Sequence, residues 1–261
     1  MQLATVGSVE IASIVDTNFS FPGAEIYPDA GEGLADALPT DGALAMICTC
    51  AVLRADGKTI LVDTGLGPGG EGGLLPGLAE AGIRHDEVDL VVFTHLHGDH
   101  TGWNVDRTTG QPRFARARYH IPEADWRFFR DQGGDNWDTM LAPLEQAGVV
   151  DLFSSEQSLG PSLTLLPTPG HTPGHTSIAI ASGGEQGYVL GDVVVAEPSL
   201  NEPDWAVMFD SDNTQAATTR RQVIERLVES GELVVASHLP EQGLGRLARI
   251  DGRVVWMPKP D

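Results

Sequence analysis

Within the nine residues Thr94-His95-Leu96-His97-Gly98-Asp99-His100-Thr101-Gly102 stand three of the chain's eight histidines, beside a carboxylate. Imidazole nitrogen and carboxylate oxygen are the donors that zinc, iron and manganese accept. In extended chain His95 and His97 face the same way, because side chains alternate with period two, and they can grip one ion. Asp99 and His100 are neighbours and diverge from that pair. A turn at Gly98 aims them at a second ion close to the first. A surface loop that is merely rich in histidine is the competing explanation, and it suits a lone histidine better than three beside an acid.

Further donors stand where apolar runs end. Residues 163–166 lead into Thr168-Pro169-Gly170-His171-Thr172-Pro173-Gly174-His175-Thr176. Its prolines and glycines forbid a continuous strand or helix and build a rigid loop that presents His171. A hairpin of residues 176–181 and 188–190 ends in Gly191-Asp192, where Asp192 is the natural carboxylate to bridge two cations, and residues 233–236 run into Ser237-His238. His95, His97, Asp99, His100, His171, Asp192 and His238 together suit two cations and leave room for water or substrate. One ion takes His95, His97 and His171, the other Asp99, His100 and His238, with Asp192 shared. Asp63, at the end of the run 59–62, is placed to accept a hydrogen bond from the free ring nitrogen of a ligating histidine, or to cap the turn before Gly65.

These donors need elements to hold them. Residues 6–15 read as a first strand, and 19–41, rich in Gly, Pro and acids, as a long loop. Phe19, Phe21, Ile26 and Tyr27 give that loop an apolar side, either covering a pocket or making a surface excursion. Residues 43–54 and 59–62 flank Asp56-Gly57 as a hairpin. Residues 74–81 form a helix closed by Gly82, and 89–94 the strand that delivers the histidines. After a polar loop with Arg107, Arg113, Arg116 and Arg118 comes a strand over 117–121. Pro122-Glu123-Ala124-Asp125 then starts a helical stretch reaching Ala147. In that stretch Trp126, Phe128, Phe129, Trp137 and Met140 divide between core and pocket wall. Residues 213–230 form a helix with Asn213 as N-cap and Gly231 as stop, and 247–256 a closing hairpin. His85 and His120 read as ordinary surface or strand residues.

Composition bounds the rest. A chain of 261 residues is expected to form one domain, residues 1–261. Its net charge of −21, from 37 acidic against 16 basic residues, repels phosphate backbones, so nucleic acid is excluded as a partner. No apolar run is long enough to cross a bilayer, and the N-terminus lacks a signal peptide's basic start; the expectation is a soluble, cytoplasmic protein without membrane contact. Cys48 and Cys50, two apart and on one face, cannot bridge one another and read as reduced core residues.

The order and wording of these motifs, from Asp63 through His238, resemble the metallo-β-lactamase-fold hydrolases. The resemblance implies an α/β fold of the four-layer αββα sandwich type, with a dinuclear site at one edge of two facing sheets. It selects His171 rather than His175 as the ligand and leaves His175 behind the ligands or in a structural role. The full donor set is most similar to the glyoxalase II, lactonase and phosphotriesterase-like branches. Glyoxalase II enzymes carry a further basic helical region, which disfavours a glutathione thioester here. Many acyl-homoserine lactonases place a tyrosine three residues beyond the bridging aspartate, where this chain has Val195, which disfavours that substrate. The expected enzyme holds two divalent ions, zinc first with iron or manganese as alternatives. A metal-bridging hydroxide attacks a small apolar ester or lactone, with Asp99 and Asp192 as catalytic carboxylates. A phosphotriesterase, a thioesterase, an iron-dependent sulfur oxidoreductase and a metal-stabilised binding protein are the competing expectations. The expected partner is a small-molecule substrate, and a homodimer stays open.

Overall fold

The computed structural model describes residues 1–260. The chain opens with β1 (Gln2–Val6) and β2 (Val9–Pro22), then the short helices α1 (Gly23–Ile26) and α2 (Leu34–Ala37). β3 (Ala43–Ala55), β4 (Lys58–Val62), α3 (Leu74–Glu80), β5 (Leu90–Val92) and α4 (Gly98–Thr101) follow. A small hairpin, β6 (Val105–Asp106) and β7 (Gln111–Pro112), precedes β8 (Arg118–Pro122), α5 (Glu123–Gln132), α6 (Ala142–Gln146) and β9 (Val150–Phe153). The second half holds β10 (Gln157–Ser158), β11 (Leu163–Pro167), β12 (Thr176–Ser182) and β13 (Glu185–Gly191). It ends with α7 (Asn213–Ser230), β14 (Leu233–Ala236), β15 (Leu244–Ile250) and β16 (Arg253–Pro258).

Two seven-stranded sheets result, in the orders β1-β2-β3-β4-β5-β8-β9 and β10-β11-β12-β13-β14-β15-β16. Strands covered on both faces read as unbroken apolar runs, and the short central strands here do so. Leu90 and Val92 of β5 enter the core between the sheets, while Val91 enters the outer core shared with Leu74 and Leu78 of α3 and Trp126 of α5. On the other sheet Val235 faces inward, and Val234 and Ala236 meet Val223, Ile224 and Leu227 of α7. Helix, sheet, sheet, helix is the expected αββα arrangement. Each large side chain so buried contributes about 1.5 to 3 kcal/mol.

Several expectations are corrected. β1 pairs with β2 ahead of the first strand read from sequence, and β2 runs on to Pro22 instead of ending near Val15. Phe19 and Phe21 stay in strand because they pair opposite Met46 and Leu44 of β3; the chain leaves the sheet only at Pro22-Gly23. The helical stretch after Pro122 breaks at Gly133 and Gly134, both left-handed at φ 65° and 95°, into α5, a π-helical turn Trp137–Leu141 and α6. Asp212, not Asn213, caps α7 by accepting from the amide of Gln215 at 3.0 Å, while Asn213 accepts from the amide of Val207. Arg113, Arg116 and Arg118 are paired with Asp106, Asp89 and Asp151, so the basic loop offers little free charge. Cys48 and Cys50 are buried free thiols, as expected. Among the described residues no helix is long and apolar enough to cross a membrane.

One buried acid positions a long loop without any signal in the sequence. The register of β2 on β3 shifts between Val15 and Thr17, so Asp16 is the extra residue of a bulge. Its carboxylate turns under the Gly-rich segment after β4 and accepts from the amides of Leu66, Gly67 and Leu74 and from Nε1 of Trp103, at 2.9 to 3.1 Å. Replacing Asp16 with alanine strands four donors in a buried place. We expect this to lower the unfolding free energy by about 3 kcal/mol or more in urea titration, whereas a loss under about 1 kcal/mol would show that the loop holds itself.

Candidate metal centre

The C-terminal ends of the central strands bring the seven donors to one place. β4 ends at Asp63, whose φ of 59° turns the chain left-handed, a conformation aspartate tolerates better than most residues. Its carboxylate accepts from the amide and hydroxyl of Thr94 at 2.8 and 2.7 Å and meets Nδ1 of His100 at 2.8 Å. β5 delivers His95, and His97 stands at the start of α4, whose single turn carries Asp99 and His100. From the second sheet come His171 on the loop after β11, Asp192 after β13 and His238 after β14.

His95 Nε2 and His171 Nε2 each lie 3.0 Å from His97 Nδ1. That is close to the edge of roughly 3.3 Å expected between nitrogens about 2.0 Å from a common tetrahedral centre. Asp99, His100 and His238 form a second group, with Asp99 Oδ2 at 3.7 Å from His100 Nε2 and 3.5 Å from His238 Nε2. Asp192 lies between them. One of its oxygens is 2.9 Å from His238 and 3.4 Å from His171, and the other is 3.4 Å from His100. The structure therefore brings all seven residues together, in the overlapping groups His95, His97, His171; His95, His100, Asp192; and Asp99, His100, His238.

The outer ring atoms explain how the inner ones are aimed. His238 Nδ1 donates to the carbonyl of Ile47 at 2.7 Å, His171 Nδ1 to Asp210 at 2.9 Å and His100 Nδ1 to Asp63. Each imidazole thus keeps its other nitrogen for the centre. His100 Nε2 and Asp192 Oδ1 are buried without a hydrogen-bond partner among the described residues. Burial pushes His95 well down, and burial with the neighbouring His171 takes His97 to about 4, so both rings present lone pairs. Burial would also lower His100, but Asp192, Asp99 and Asp63 outweigh it and hold it well above its ordinary value. An unpartnered nitrogen on His100 and oxygen on Asp192, the neutral rings of His95 and His97 and two carboxylates fit divalent cations.

His175 does not join the group. Its Nδ1 contacts the hydroxyl and carbonyl of Thr168 at 2.8 and 3.1 Å, and its Nε2 accepts the amide of Asp192 at 2.9 Å. Burial and the nearby His171 push it to about 3, which keeps it the neutral acceptor this amide needs. Gly191, at φ 61°, leaves it room, since a Cβ there would come within 2.5 Å of His175 Nε2. His85 is exposed and His120 half-buried beside Asp151, both away from the site.

Three positioning residues were not singled out from sequence. Asp125, read only as part of a helix start, is buried and accepts from the hydroxyl of Thr172 and the amide of Gly174, tying α5 to the His171 loop. Burial lifts its carboxyl to about 6 against those two hydrogen bonds. Asp210 joins His171 to Arg220 of α7. Only the pairing of acids with distant donors in space reveals these.

A cavity of about 310 Å³ opens onto the donors, walled by Phe19, Phe21, Met46, Leu66, Val195 and Phe209. Its apolar wall is therefore not the aromatic segment after Pro122. Trp126 and Met140 are core, and only Phe129 reaches the site, edge-on to His97 at 5.5 Å. A larger cavity of about 640 Å³ lies elsewhere, against β1 and β16, and no His, Asp or Glu lines it. Exchanging His175 for alanine is expected to lower stability by about 2 kcal/mol yet leave metal content per chain unchanged, whereas His171→Ala loses an ion. Elemental analysis of the two variants decides between the rings.

The sequence profile described as the metallo-beta-lactamase superfamily matches residues 44–238. An N-acyl homoserine lactonase of Bacillus cereus is 24% identical over 218 residues, covering 75% of this chain and 82% of that protein. Metallo-beta-lactamase domain-containing protein 1 of Homo sapiens is 27% identical over 233 residues, covering 80% of this chain and 76% of that one. Among solved structures, AidC, described as a dizinc quorum-quenching lactonase with a bound product, superposes with a TM-score of 0.85. It covers 100% of this chain and 97% of its own at 22% identity, which speaks to the fold. With the profile spanning most of the sequence and the αββα layers in place, the chain belongs to the metallo-beta-lactamase superfamily.

Proposed function

We propose that this metal-dependent hydrolase is dinuclear, takes zinc, and cleaves a small uncharged ester or lactone whose non-reacting part is hydrocarbon. The observation that carries the reading is the convergence of seven donors, five of which line an apolar cavity of about 310 Å³ with no lysine or arginine in its lining. His95, His97 and His171 would hold one ion and Asp99, His100 and His238 the other, with Asp192 between them. Bound there, divalent cations supply an activated water and polarise the carbonyl under attack. The relatives named as lactonases, one of them dizinc, support a lactone or ester as the bond cleaved and zinc as the metal. The same reading takes the chain as one domain acting on a small molecule in the cytoplasm.

The residues themselves do the rest. Phe19, Phe21 and Phe209 form an edge-to-face series, with ring centres 5.7 Å apart in each pair, that can grip an alkyl or aryl group and exclude water from it. Val195 offers no hydrogen bond, so an amide or charged group on the substrate would be desolvated without compensation. Asp99 and His97 are the partly accessible members of the donor set, and Asp99 is the acid of the two: its side chain is 28% accessible, against 4% or less for His95, His100, His171, Asp192 and His238. Facing the cavity, it can take the proton that the attacking water gives up and return it to the departing alkoxide oxygen.

The zinc-loaded protein is expected to hydrolyse hydrophobic aryl esters and alkyl lactones, to lose activity with a chelator and to recover it with zinc. No turnover of any ester or lactone, with phosphotriesters cleaved instead, would move the reading to phosphorus. Asp99→Asn is expected to lower kcat by about 100-fold or more for alkyl esters and much less for 4-nitrophenyl esters, whose leaving group needs no proton. Equal losses across the series, at unchanged zinc content, would remove Asp99 from that role.

A further inference from the structure

Arg220 is among the largest wholly buried side chains, 1% exposed, and it sits on the inner face of α7. Its guanidinium reaches three separate stretches of chain. Nε donates to the carbonyl of Val193 at 2.9 Å, Nη1 to that of Pro203 at 2.9 Å and more weakly to that of Trp205, and Nη2 to Asp210 Oδ2 at 2.7 Å. The other oxygen of Asp210 receives Nδ1 of His171. Val193 leads directly into Val195. The stretch from Trp205 to Asp210 carries Phe209, and Trp205 meets Tyr27 edge-on with ring centres 5.6 Å apart. One planar group therefore stands behind both an imidazole of the metal centre and the back of the cavity wall.

Stability alone gives a poor account of this arrangement. Burying a guanidinium and a carboxylate costs several kcal/mol per ion, and apolar side chains of equal volume commonly serve as well or better. What an apolar residue cannot do is fix four acceptors in a set geometry, one just after β13 and three along the segment before α7, which the rigid fork of arginine does. We propose that Arg220 is a positioning residue that sets the ring of His171 and the apolar wall together, so that metal affinity and substrate fit are coupled through it. The proposal rests on the reading of His171 as a ligand and of the cavity as the substrate site.

The test compares the full-length wild type with Arg220→Lys and Asp210→Asn. Zinc affinity is measured by competition with a chelator, the visible spectrum after cobalt substitution is recorded, and KM is followed across aryl esters of increasing acyl length. Asp210→Asn is expected to weaken one of the two ions by about 10- to 100-fold and to alter the cobalt spectrum, leaving the dependence of KM on acyl length in place. Arg220→Lys keeps the charge but not the fork, and is expected to weaken the same ion and also flatten that dependence. A folded Arg220→Lys protein with wild-type zinc affinity and spectrum, or with only one of the two properties changed, overturns the proposal. Should it not fold by circular dichroism, Arg220→Gln, which keeps planar donors, is read in its place. Wild-type protein that binds fewer than two ions, or His171→Ala that keeps both, would instead refute the reading of the site on which the proposal stands.

Discussion

Asp192 is a carboxylate buried among imidazoles, and the arrangement of the whole site answers to its charge. Burial opposes ionisation, yet His238, His100 and His95 hold it well below the ordinary carboxylate range. A charge so placed is tolerable only with positive partners close by and hydrogen bonds behind them. The rings so held are His100 from the first sheet and His238 from the second, and the bonds behind them run to Asp63 and to the carbonyl of Ile47. The two sheets are thus held by apolar packing in the middle and by an electrostatic requirement at one edge.

That requirement explains why so much of the supporting structure is itself polar and buried. Asp16, Asp63, Asp125 and the amide-accepting His175 each fix a turn that no regular element would hold. Strands end where the chemistry begins, and the freed backbone groups are taken up by acids arriving from elsewhere in the chain. The glycines after the strands allow close approach: a Cβ at Gly174 would lie 2.7 Å from the amide nitrogen of Asp125.

The candidate donor set was readable in the sequence because its chemistry is uncommon and its spacing local. His95 to His100 lie within one segment, and His171, Asp192 and His238 each follow an apolar run that had to be a strand. The layers were legible only through the family resemblance that those motifs carry, while unbroken apolar runs such as 90–92 and 233–236 marked strands covered on both faces. What stayed hidden depends on pairing across distance. Asp16 lies in a bulge set by its partner strand, and Asp210 and Arg220 look like ordinary surface charges until α7 docks. The sequence leaves the pocket wall open between two sets of aromatics: the register of Phe19 and Phe21 on β3 turns those rings to the cavity, and of the set after Pro122 only Phe129 reaches the site. The cap of α7 was misplaced by one residue, as both Asp212 and Asn213 can serve and only their acceptor geometry separates them.

Because the donors come from opposite halves of the chain, neither half can assemble the centre by itself. Long loops must close before any reward from them is felt, so the ligand sphere should be completed late on the way from the unfolded chain. Cations that recognise only the finished set would then act as a clasp between the two halves, favouring the docked state by mass action and slowing its reopening. The cell's supply of metal would in that way govern how long the protein persists as well as how fast it works.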